Sequence, residues 1–202
     1  MATRITRISR AAVAARTQVL DALKEDHKRV KKAYRDFQKL DAENDPEACR
    51  AIVDQVLQEL TVHAALEEEL LYPAAHGQIE DESLVDEAEV EHASMHTLMD
   101  QLRGMAPGQD KYVARFTVLC EYVTHHVKEE ETEMFPQLEN VKLDWESLAE
   151  EVRARREELM AAQADGEDAL DEAMALAPAR SRNTPPAARK TAAASTRSQS
   201  GG

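Results

Sequence analysis

The sequence predicts an all-α protein: an up-down-up-down four-helix bundle made of two helical hairpins, with an additional C-terminal helix and a disordered basic tail. Three observations lead there. Apolar residues recur at three- and four-residue steps in five segments, which is the period of a single helix face. The breaks between the first four segments are short, as antiparallel helical neighbours require. Hydrophobic residues make up 43% of the chain but aromatics only 4%, and there are just six glycines, a balance that suits helices rather than sheets.

The first segment steps through Leu20, Leu23, His27, Val30, Tyr34 and Phe37. DAENDPEA interrupts it, and Pro46 is suited to open the next helix because the first helical residue needs no N–H partner. The second runs Cys49, Ile52, Val56, Leu60, His63, Glu67 and Leu70, with Tyr72-Pro73 and Gly77 as its stop. The third runs Val85, Ala88, His92, Met95, Met99 and Leu102, stopping near Gly104, Pro107 and Gly108. The fourth runs Phe116, Leu119, Val123, His126, Glu130 and Met134 to Phe135-Pro136. A fifth, from about Asp144, places Trp145, Leu148, Val152 and Leu159 on one face. The resulting division is a basic N-terminal segment (1–16), the bundle (17–140), an additional amphipathic helix region (141–176) and an Ala/Pro/Arg-rich tail (177–202).

The apolar stripes contain polar residues. His27, His63, Glu67, His92, His126 and Glu130 all fall on core positions, where a polar group is costly unless it finds a partner. Each of the four helices supplies at least one, so they must face one another across the bundle axis. The chain also repeats: HAALEEELLYP from His63 and HVKEEETEMFP from His126 share a glutamate four residues on and an aromatic-proline close. Thr61 and Thr124 precede these histidines by two, Glu68 and Glu131 follow by five, and Asp26 and Glu91 precede the histidines of the first and third helices. Two hairpins related by a pseudo-two-fold axis would bring two equivalent sets to one point.

Residues four apart on a helix share a face, roughly 5–6 Å apart at Cβ, so His63 with Glu67 and His126 with Glu130 can each reach one ion. A carboxylate has a second oxygen with which to bridge. Four histidines and two bridging glutamates then offer each of two metals two imidazoles and two carboxylate oxygens. A solvent-derived bridge would bring each to five ligands, leaving room for a small exogenous molecule. Mixed imidazole and carboxylate ligation suits iron, whereas magnesium and calcium favour oxygen alone. One His-x-x-x-Glu in so acidic a chain carries little weight, but two in register, joined by two further core histidines, do.

The set His27, His63-x-x-x-Glu67, His92 and His126-x-x-x-Glu130 resembles the hemerythrin-like (HHE cation-binding) family over about residues 17–140. The resemblance implies two non-haem iron ions per chain, carboxylate- and oxo-bridged, binding or reducing O2, nitric oxide or peroxide in a carrier, sensor or stress-protection protein. An oxidoreductase activity consuming peroxide or nitric oxide is one such role. The cysteine-rich N-terminal module of the iron–sulfur repair members is absent from this sequence. His96, four residues after His92, is a possible additional ligand, as the paired histidines of the oxygen carriers imply, or else a hydrogen-bonding neighbour. His125 is expected to be exposed, and His76, at a helix end, to partner the C-terminal helix dipole or be solvated. Tyr34 and Tyr72 could line the pocket and donate to a bound oxygen species.

Other readings fare less well. Ferritin-like iron oxidation typically uses Glu-x-x-His pairs on two helices, and only Glu89 with His92 offers one. A structural or interaction bundle would leave six convergent ligands without a purpose. The net charge of −14 conceals basic ends: with the four arginines of residues 1–20 and the five basic residues of 177–202 set aside, residues 21–176 carry −23. An acidic body argues against a nucleic-acid grip by the folded domain. There is no apolar run of membrane-spanning length, and Cys49 and Cys120 form no CxxC, which suits free thiols and a cytoplasmic location.

Overall fold

The computed structural model describes residues 9–176, and the regular structure among them is entirely helical. The chain divides after Gly166 into two compact units. The bundle lies in the first; in the second, residues up to Leu176 form the last turns of the final helix. Residues 1–8 of the basic N-terminal segment and the 177–202 tail lie outside the described residues.

Helix α1 spans Arg10–Phe37, and α2 spans Pro46–Leu66. A π turn, Glu67–Leu71, then carries the chain into the short α3, Tyr72–Ala75. The second hairpin repeats this with α4 (Ser83–Arg103), α5 (Tyr112–Glu129), a π turn at Glu130–Met134 and α6 (Phe135–Leu138). The last helix, α7, spans Trp145–Leu176. The helix ends follow local chemistry. Ser9 Oγ accepts the Ala12 N–H at 2.9 Å, Pro46 sits in the first turn of α2, and Asp144 accepts the Ser147 N–H at 3.2 Å.

The two aromatic-proline pairs do not stop their helices, as the sequence led one to expect. Pro73 and Pro136 lack an N–H, and in a regular α-helix their rings would strike the carbonyls of Glu69 and Thr132. The backbone instead widens by one residue just upstream. Tyr72 N–H bonds the Glu67 carbonyl and Phe135 N–H bonds that of Glu130, both i→i−5.

α1 packs on α2 and α5, and α4 packs on the same two helices, closing a four-membered ring. The core is split in two. One apolar cluster holds Val19, Leu23, Leu66, Tyr72, Phe135 and Trp145; the other holds Val30, Phe37, Val56, Met99, Phe116 and Val123. Between them, on α1, α2, α4, α5 and the two π turns, lies a buried polar layer. On α7, Trp145, Leu148, Ala149 and Val152 are buried in the first cluster, so this stretch of the fifth helix is a wall of the bundle. Cys49 and Cys120 are buried free thiols.

Candidate metal centre

The polar layer consists of Asp26, His27, His63, Glu67, His92, His126 and Glu130, none more than 4% exposed. The 3.6-residue period puts each histidine inward on its helix, and packing brings the four Nε2 atoms together in two pairs. His27 Nε2 lies 3.2 Å from His63 Nε2, and His92 Nε2 lies 3.1 Å from His126 Nε2. The glutamates sit between the pairs. Glu67 Oε2 is 3.1 Å from His63 Nε2 and 3.5 Å from His92 Nε2. Glu130 Oε2 is 3.3 Å from His27 Nε2 and 3.4 Å from His126 Nε2.

Every outer ring nitrogen meets a carboxylate. His27 Nδ1 donates to Glu131 at 2.9 Å, His63 Nδ1 to Asp26 at 3.3 Å, His92 Nδ1 to Glu68 at 2.8 Å, and His126 Nδ1 to Glu91 at 2.8 Å. A carboxylate can only accept, so each bond places a proton on Nδ1 and turns Nε2 inward, where a metal would meet its lone pair once any second proton is released. Asp26 and Glu91 act within their own hairpins, while Glu68 and Glu131 reach across to the other. The repeated offsets of these four from the histidines were visible in the chain, but which histidine each would meet was not.

His96 is turned to Glu68, whose Oε1 lies 2.7 Å from His96 Nε2, and its side chain is 41% exposed. His125 is exposed beside Glu129, and His76 beside Glu89. Tyr34 packs edge-on against Phe116, away from the polar layer. Tyr72, by contrast, enters it: its hydroxyl donates to Glu130 Oε1 at 3.0 Å and lies 3.1 Å from His92 Nε2. In a straight α-helix, residues five apart diverge by about 140°, but the π turn brings Tyr72 back over Glu67.

Charge in the layer is strongly coupled. Burial opposes protonation of His63, but the neighbouring Glu67 carboxylate and the bond to Asp26 outweigh it and push the pKa up to about 10. Burial likewise opposes ionisation of Glu67, yet His63 and the other imidazoles bring it down to about 2. His126 moves up as well, whereas burial takes His92 down. Burial, with Glu130 and Glu67 nearby, holds the Tyr72 hydroxyl well above its usual range, keeping it a donor. Burial also raises Cys120, leaving it an unreactive thiol.

The donor set fits metal ions. Glu67 Oε1 and Glu130 Oε2 are buried without a hydrogen-bond donor, and a buried carboxylate oxygen in that state calls for a cation. His27, His63, Glu67 and Glu130 offer ligand atoms within 4.8 Å of one another, and so do Glu67, His92 and His126. Against the four imidazoles lies a cavity of about 20 Å³ walled by Val30, Leu60, Met95, Met99, Val123 and Val127. It has room for a molecule of about water's size and little more.

The chain is similar to known proteins. A crystal structure of a hemerythrin HHE cation binding domain-containing protein from Mycobacterium kansasii is 25% identical, with a TM-score of 0.57 over 77% of this chain and 90% of that one. A protein of Nostoc sp. (strain PCC 7120 / SAG 25.82 / UTEX 2576) named DNA nickase is 29% identical over 125 residues, 60% of this chain. The chain spans about a third of that relative's length, 34%. The hemerythrin HHE cation binding domain model matches residues 18–138. The chain is thus a metal-binding helical bundle of the hemerythrin HHE cation-binding domain family.

Proposed function

We propose that this is a non-haem di-iron protein that binds or reduces a small oxidant: O2, nitric oxide or peroxide. His27 and His63 would hold one iron and His92 and His126 the other, with Glu67 and Glu130 shared between them. Iron held there would supply reversible electron exchange with the oxidant. The observation that carries the reading is the small apolar cavity against four inward Nε2 atoms. Its size suits a molecule of no more than a few atoms. Its apolar walls limit water at the site, and Tyr72 holds a proton at Oη within reach of Glu130.

The ferritin-like alternative loses its donor: Glu89 is 53% exposed and lies beside His76, outside the buried layer. Nicking of DNA by this chain, as the name of its Nostoc relative would have it, finds no support in a body whose residues 21–176 carry −23. The two free buried cysteines favour a reducing compartment such as the cytoplasm.

The experiment is to load the purified chain with iron, count it, and mix the reduced protein with O2, nitric oxide and peroxide in turn. Two irons per chain, near-ultraviolet charge-transfer absorption and a reaction with at least one oxidant are expected. Replacing both His63 and His126 by Ala should abolish binding. Undiminished iron in that double variant would refute the ligand assignment.

A further inference from the structure

We propose that Arg156, on α7 and outside the stretch matched by the family model, is a positioning residue of the metal centre. It locks the Asp26 carboxylate against His63 and so sets how tightly the His27–His63 half of the site keeps its metal. The proposal rests on the reading of the inward histidines and glutamates as metal ligands.

The four carboxylates that hold the outer ring nitrogens are not equally placed. The side chains of Glu131, Glu68 and Glu91 are 34%, 36% and 26% exposed, so water can share in solvating them. Asp26 is 3% exposed, and protein groups must satisfy it. Its bond to His63 is also the longest of the four at 3.3 Å, against 2.8–2.9 Å for the others. Asp26 is therefore the carboxylate most dependent on outside support.

That support comes from α7. Arg156 donates from Nη1 to Asp26 Oδ1 at 3.0 Å and from Nη2 to Oδ2 at 2.7 Å, a two-pronged bond that fixes the plane of the carboxylate as well as its charge. Arg29 donates to Oδ1 from one turn along α1. The other three carboxylates have lesser partners: His96 at Glu68, Lys31 at Glu131 and His125 at Glu91, the last two at 3.7 Å. The guanidinium is itself anchored, because buried Val152 lies one turn before it and Gln163 Nε2 donates to the Gln58 carbonyl at 3.1 Å two turns beyond. The neighbouring Arg155 makes its own two-pronged bond to Glu69, at 2.7 and 2.9 Å, without touching Asp26.

This arrangement supplies its own control. The full-length chain and its Arg156→Ala, Arg156→Lys, Arg155→Ala and Asp26→Asn variants are loaded anaerobically with ferrous iron. They are then titrated with a competing chelator while iron per chain is counted and Mössbauer doublets are recorded. Arg156→Ala is expected to weaken one of the two irons by about tenfold and to perturb one doublet, the usual scale for loss of an outer partner. Asp26→Asn should weaken the same iron, Arg156→Lys should recover part of the loss, and Arg155→Ala should keep both irons. Wild-type retention of both irons in Arg156→Ala would overturn the role of Arg156 alone. An equal loss in Arg155→Ala would overturn it too, by tracing the effect to docking of α7. A wild-type chain that takes up no iron would instead refute the metal-centre reading on which the proposal stands.

Discussion

Tyr72 and Phe135 occupy equivalent places in the two hairpins, each just past a π turn and each with its N–H on the carbonyl of a site glutamate. Only Tyr72 brings a hydroxyl into the polar layer, 3.0 Å from Glu130 Oε1. Phe135 stacks on His27 at 6.1 Å with the rings nearly parallel, at 12°. His96, the possible additional ligand, has Lys31 as its counterpart, and each backs the carboxylate behind its helix's histidine. Beside the Asp26–Arg156 pair of one half, the chemical difference between the halves therefore lies at Tyr72 and Phe135.

Removing that hydroxyl tests the difference. Tyr72→Phe deletes a hydrogen bond to a buried carboxylate, worth about 1.5–3 kcal/mol, without removing any histidine or glutamate. Iron content should stay at the wild-type level while the rate of reaction with the oxidant falls about 10- to 100-fold, measured by stopped-flow absorbance. An unchanged rate would leave Tyr72 a packing residue.

The carboxylates behind the histidines should govern affinity. Glu68→Gln and Glu131→Gln replace an anionic acceptor by a neutral amide, and each is expected to weaken iron binding by about 10- to 100-fold in chelator competition. Glu133→Gln, on the exposed face of the second π turn, should have no effect.

Filling the cavity should separate access from ligation. Val123→Phe adds bulk to the apolar wall beside the imidazoles, at a cost of about 1–3 kcal/mol in overpacking. Iron should still bind, while nitric oxide association with the reduced protein, followed by absorbance, should slow or vanish.

Chelator-stripped and iron-loaded protein should respond to pH in opposite senses. Protonation of His63, at about 10 in the fold against 6.5 ordinarily, stabilises the stripped protein fully below about pH 6.5 and is lost as pH rises toward 10. The Glu67 contribution, with its pKa lowered from 4.5 to about 2, is present above about pH 4.5 and lost as pH falls through 2. Thermal melts of stripped protein should therefore peak between about pH 4.5 and 6.5. Iron must displace the His63 proton, so its affinity should rise with pH and proton release should be measurable on binding.

The five helical segments and the six inward polar residues could be read along the chain because both depend on the 3.6-residue period, which any local stretch displays. His63 with Glu67 and His126 with Glu130 share a face by that period alone. The π turns escaped such a reading: Pro73 and Pro136 announced a break, but whether the helix stops or widens depends on what the next turn can bury. Tyr72 and Phe135, both fully buried, make widening favourable.

Local chemistry thus determined which residues lie inward and which types of ligand they offer. The partners of the outer ring nitrogens were a matter of tertiary structure, because Glu131 reaches His27 across 104 positions and Glu68 reaches His92 across 24. Arg156 meets Asp26 across 130 positions, from a helix whose register is set by where Trp145 and Val152 find apolar cover. A helical period says which way a side chain points. Only packing says what it meets there.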